Sequence, residues 1–143
     1  DIYALTSSDA GMTFTASRRD AWEVGACPMS SMDIVVGRQV VEAWEHDGQV
    51  AFAPVGTERG SAPPPTTSQD AAARRKHPRI AIAADGTTLL VWAVGTGWNR
   101  GGAIEWQAFA SGTPAGPPTR RDGLPVWSHP AVAAHRDGFV VIF

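Results

Sequence analysis

Apolar and polar positions alternate along this chain in short runs, and glycine, proline and aspartate separate the runs. The strongest run, "TTLLVWAV" at 87–94, predicts a β-strand, because a period of two places successive side chains on opposite sheet faces. It is separated from an apolar run at 79–83 by Asp85-Gly86, a hairpin signal. Residues 104–110 predict a third strand and 124–127 a weak fourth. Upstream, strands are expected at 33–36, 40–45 and 49–55, the last two joined by His46-Asp47-Gly48. Both ends read as hairpins, 2–6 with 13–16 and 131–134 with 139–143. Ala71 to Lys76 could form a short helical turn, which His77-Pro78 would end.

The runs recur. "CPMSSMDIVVGRQVVEAWEHDGQVAFAPV" starts at Cys27, "HPRIAIAADGTTLLVWAVG" at His77 and "HPAVAAHRDGFVVIF" at His129. A recurrence of about 50 residues is the span of one four-stranded propeller blade. The expected fold is therefore all-β, a β-propeller segment of about three blades. It divides into a half-blade (1–26), a blade (27–76), a blade (77–128) and a half-blade (129–143). Propellers close with about four to eight blades, so the ring is expected to be completed by a second copy of the chain or by another propeller segment. Residues 57–76, with Pro63-Pro64-Pro65 and Arg74-Arg75-Lys76, read as an exposed excursion between blades, its basic triplet a solvated face.

Composition narrows the partners. A 143-residue chain with 43% apolar residues can bury a core, and a formal charge of −2 offers nucleic acid no basic footprint. Fifteen glycines, eleven prolines and six tryptophans suit many short strands. No apolar run approaches the roughly 20 residues of a membrane-crossing helix. The single cysteine allows no internal disulfide and does not discriminate between compartments. A secreted or periplasmic location is the expectation.

One motif is specific. Ser7, Asp9, Gly11, Thr13 and Phe14 stand at Ser-x-Asp-x-Gly-x-Thr-aromatic spacing. Asp9 can accept backbone N–H groups of its own turn, and Gly11 can take a positive φ. This spacing resembles the Asp-box, the turn between the third and fourth strands of a blade in sialidase-like β-propellers. The resemblance implies half of a six-bladed propeller with the motif on the outer rim, in a structural role. It also implies a catalytic set of three arginines, an aspartate and a glutamate-activated tyrosine. Here Tyr3 is the only tyrosine and lies beside the motif. Arg79-Ile80 is similar to the opening of the family's Arg-Ile-Pro signature, but Ala81 replaces the proline. Arg79 is thus a candidate carboxylate ligand.

A second constellation comes from the repeat. Cys27-Pro28, His77-Pro78 and His129-Pro130 occupy equivalent places, just before the first strand of each unit, and are expected to meet at one mouth of the channel. Cys27 and Met29, with Met32 nearby, add soft sulfur donors to the imidazoles of His77 and His129. Such a set suits copper. The same dipeptides also fit a packing role, since proline is tolerated where a strand begins. His46 and His135 are expected to be exposed. Trp22, Trp44, Trp92, Trp106 and Trp127 fit wedges between blades, and Trp98, in the glycine-rich 95–102 loop, is the best aromatic candidate for ligand contact.

No nucleophile elbow, phosphate-cradling loop or zinc-finger spacing is present. The expected function is a non-catalytic binding or assembly module. A copper-binding propeller and a fragment of an exo-sialidase or related glycoside hydrolase are the alternatives.

Overall fold

The structure is a computed structural model of the chain and describes residues 2–20, 32–46, 48–56, 74–136 and 138–143. Twelve strands form among the described residues, and no helix. They are β1 (Ile2–Thr6), β2 (Thr15–Asp20), β3 (Met32–Val36), β4 (Val40–His46), β5 (Gln49–Pro54), β6 (Arg75–Ile82), β7 (Thr88–Val94), β8 (Gly102–Ala110), β9 (Thr113–Pro114), β10 (Thr119–Leu124), β11 (Ala131–His135) and β12 (Gly138–Ile142). All pairings are antiparallel. Four sheets result: β1-β2, β3-β4-β5, β6-β7-β8-β10 with β9 beside β8, and β11-β12.

Strand β7 shows why the sheets stack. All seven of its residues are buried, so both of its faces must be covered. Leu90, Trp92 and Val94 on one face pack with Val41, Ala43, Val50 and Phe52 of β4 and β5, and with Ile80 and Phe109. Phe52 and Phe109 meet edge to face at 4.7 Å. On the other face Ala93 joins Ile104 and Leu124, with Val141 and Phe143 packed against them. The central sheet thus lies between the β3-β4-β5 sheet and the C-terminal hairpin. Burying Leu90 or Ile104 in this way stabilises the fold by about 1.5–3 kcal/mol per side chain. The first strands of three successive sheets, β3, β6 and β11, come together, with β6 in the middle.

Several strand expectations need correction. The fourth strand of the central sheet is Thr119–Leu124, not residues 124–127: only Leu124 of these is in the strand, and a turn from Pro125 to Ser128 follows it. Its sequence "TRRDGL" has no apolar alternation because it is an edge strand in which Leu124 alone is buried. Strand β6 starts at Arg75 rather than Arg79, with a register shift between Lys76 and Arg79. Pro78 has no N–H for the ladder and His77 has a φ of 55°, so the chain bulges there instead of beginning.

The basic triplet is not a solvated face either. Arg74 is exposed, but Arg75 is buried and Lys76 half-buried. Arg75 donates to Gln49 Oε1 at 2.8 Å, and its guanidinium lies 5.7 Å from the Trp92 ring centroid. His135 is exposed, whereas His46 is half-buried. Residues 57–73, with the proline run, lie outside the described residues, as does Trp22.

Candidate functional site

Three pieces of backbone converge at one end of the central sheet. The first is the β6 bulge. His77 interrupts the ladder in the left-handed region, which turns its side chain away from the regular pleat. Its backbone N–H is accepted by Glu45. Burial pushes the Glu45 carboxyl above the usual carboxylate range, opposed by the Lys76 charge, the His77 N–H and the Arg74 charge.

The second piece is the loop between β7 and β8. Gly97 and Arg100 exchange backbone hydrogen bonds of 3.0 and 3.3 Å, closing a two-residue turn with Trp98 and Asn99 at its tip. Arg100 Nε donates to Gly95 O at 3.0 Å and ties its guanidinium back to the loop. Gly101 and Gly102 anchor the loop, because a Cβ on either would collide with a carbonyl, that of Leu124 or of Val94. Only glycine lets these backbones approach so closely.

The third piece is the connection from β10 to β11. Pro125 and Ser128 close a turn (Ser128 N to Pro125 O, 3.2 Å) in which Trp127 takes a φ of 66°. A bulky residue in that region is an uncommon and strained choice. Its effect is to bring Trp127 edge to face with Trp98, ring centroids 4.5 Å apart at 81°. Both indoles stay largely in solvent, 73% and 57% exposed. The next residue pair brings His129 against His77, centroids 4.3 Å apart at 82°.

Together these pieces enclose a groove of about 230 Å³. The Trp98–Trp127 corner forms one part of it and the His77–His129 pair another, with Lys76 and Arg100 as its cations and Thr96 and Ser128 as its hydroxyls. None of the lining residues is acidic. The groove can therefore stack a ring and donate hydrogen bonds to an acceptor-rich ligand, but its lining offers no carboxylate pair for glycosidic acid–base chemistry.

Of the residues proposed from sequence, Trp98, His77 and His129 are brought together. Cys27 and Met29 lie outside the described residues, and among the described residues no cluster of three or more His, Cys, Asp or Glu could hold a metal ion. Met32, at the start of β3, is exposed. Arg79 is elsewhere, half-buried, its Nη1 donating to Met32 O (3.3 Å) and Pro78 O (3.0 Å). With Ile80 N donating to Asp33 Oδ2 at 3.0 Å, it joins β6 to β3.

Ser7 to Phe14 form the β1–β2 loop, whose hydrogen bonds stay within the loop. Thr13 N and Oγ1 donate to the two Asp9 oxygens at 2.9 and 2.6 Å, and Ser7 Oγ donates to Asp9 at 2.7 Å while accepting Gly11 N at 2.8 Å. Ala10 and Gly11 both have positive φ, and Phe14 is exposed. The Thr13 hydroxyl, then the Thr13 N–H, then Ser7 lower the Asp9 pKa to about 2.

Sequence reasoning missed Trp127, Lys76 and Arg100. Trp127 had a signal, since it sits in a stretch bounded by Pro125 and Pro130 that no sheet interior accommodates. Lys76 had none, because its place depends on the bulge. Comparison with protein-family models, curated protein sequences and solved structures finds no match to this chain.

Proposed function

We propose that this chain is a non-catalytic module of a sialidase-like β-propeller that works by binding and assembly, with the groove as its ligand site. The observation that carries the binding reading is the Trp98–Trp127 pair, two indoles held largely in solvent by a tight hairpin and a strained turn. Strain and exposed aromatic surface both cost stability, and a ligand that covers the rings removes the exposed surface. The stacked antiparallel sheets, with β3, β6 and β11 adjoining, support the propeller setting. So does the self-bonded Asp9 loop. Exposed Ile34, Val36, Val140 and Ile142 supply apolar surface for a second copy or another propeller segment.

The test has two arms. Titration with neutral and acidic monosaccharides should give a saturable tryptophan fluorescence change whose midpoint moves to higher concentration in Trp98→Ala, and light scattering should give more than one chain mass. Release of fluorophore from a fluorogenic sialoside would overturn the non-catalytic reading, and a monodisperse species of one chain mass would overturn assembly.

A copper site is the second reading, favoured by the 4.3 Å approach of the His77 and His129 rings. Cys27 and Met29, at the equivalent place in the first repeat, would add thiolate and thioether donors. Copper uptake that disappears in the His77→Ala, His129→Ala double variant supports it. Wild-type protein that stays copper-free after incubation with copper refutes it.

A further inference from the structure

We infer that the groove selects a sugar ring bearing a carboxylate, a uronic acid, over the neutral sugar. The inference rests on the proposed role of the groove as a ligand site and adds the ligand's chemical class.

Three features of the groove lead to it. The indole corner of Trp98 and Trp127 offers an apolar face to a single ring, and about 230 Å³ is room for one ring rather than a chain of them. The hydroxyls of Thr96 and Ser128 beside that corner suit a ring rich in hydroxyl groups better than an arene, whose edge would leave them unpaired. The charged groups lining the groove, Lys76 and Arg100, are both cations, and no lining residue is acidic. Glu45, outside the lining, interacts with the Lys76 charge and accepts the His77 N–H, so it offsets part of one charge. Arg100 is tied to Gly95 O only through Nε, in a geometry that leaves the Nη edge of the guanidinium for a carboxylate. Quaternary ammonium groups, which also seek aromatic corners, are disfavoured by the same two cations.

The experiment uses D-glucuronate, D-glucose and benzoate as probes, titrated into the protein at low ionic strength with tryptophan fluorescence and calorimetry as readouts. Glucuronate should bind about fivefold tighter than glucose, the worth of one good ion pair at an exposed site, and added salt should erase the difference. Arg100→Gln should equalise the two sugars without abolishing either. Trp98→Ala, at an exposed hairpin tip, should weaken both about tenfold with an unchanged circular dichroism spectrum. Equal affinity for glucuronate and glucose in the wild type overturns the inference while leaving the ligand-site reading standing. Tighter binding of benzoate than of glucuronate overturns the sugar class. No response to any probe overturns both the class and the ligand-site reading.

Discussion

Trp92 Nε1 donates to Glu105 Oε2 across 3.0 Å, in the buried register where β7 and β8 face each other. The same carboxylate lies 4.0 Å from Arg75 Nε and accepts from Arg120 Nη1 at 3.3 Å. One acid therefore serves an indole N–H and two guanidinium groups, one of them buried. Removing it takes a carboxylate from beside a buried guanidinium and an acceptor from the buried Trp92 N–H, which costs more than the pair contributes. Glu105→Ala should lower stability by about 3 kcal/mol. Glu105→Gln, which keeps an acceptor for Trp92, should lose less. Urea unfolding followed by tryptophan fluorescence measures both, and equal losses would show that charge is not the issue.

Asp9 should titrate at about pH 2, well below its ordinary 3.8. A lowered folded-state pKa means that the loop's contribution to stability is present above the unfolded value and is lost as pH falls through about 2. Proton titration by NMR should show the Thr13 amide moving with the Asp9 carboxyl. In Thr13→Val, which removes the first of the lowering hydrogen bonds, the midpoint should rise toward 3.8. An unchanged midpoint in that variant would contradict the assignment.

Glu45 runs in the opposite direction. Its raised pKa makes the folded state the stronger proton binder, so its contribution is complete below about 4.5 and declines as pH rises through the folded-state value. Glu45→Gln keeps an oxygen for the His77 N–H and removes the charge. The variant should melt higher than wild type at neutral pH, and the gap should close below about pH 4.5. A gap that is constant with pH would rule out the charge as its cause.

Gly101 and Gly112 separate two reasons for glycine. At Gly101 a Cβ would strike the Leu124 carbonyl, so Gly101→Ala should cost about 1–3 kcal/mol and push the Trp98 hairpin away from Pro125. At Gly112 nothing lies within 4 Å of a Cβ, but φ is +80°, so Gly112→Ala should cost only about 1 kcal/mol. Thermal melts compare the two. Disturbed Trp98 and Trp127 signals are expected in Gly101→Ala alone.

What the sequence by itself determined is local. Short apolar runs bounded by turn residues place β4, β5 and β7 within a residue or two, because a buried strand carries its apolar content in its own side chains. The Asp85-Gly86 turn is equally legible, since Thr87 N donates to Asp85 at 2.8 Å and Gly86 carries a φ of 91°. The Asp9 loop is local too, with its acceptor and donors within four residues. Tertiary structure decided everything that depends on distant partners. Strand β10 is a strand because it pairs with β8, not because of its own pattern. Arg75 is buried because Gln49, Trp92 and Glu105 surround it, so a basic triplet that reads as solvated contributes to the core. Trp98 meets Trp127, and His77 meets His129, only because a bulge, a glycine-anchored loop and a left-handed turn from separate parts of the chain end at one place. A strand's pattern is carried by its own residues, whereas a groove belongs to the surfaces that meet there.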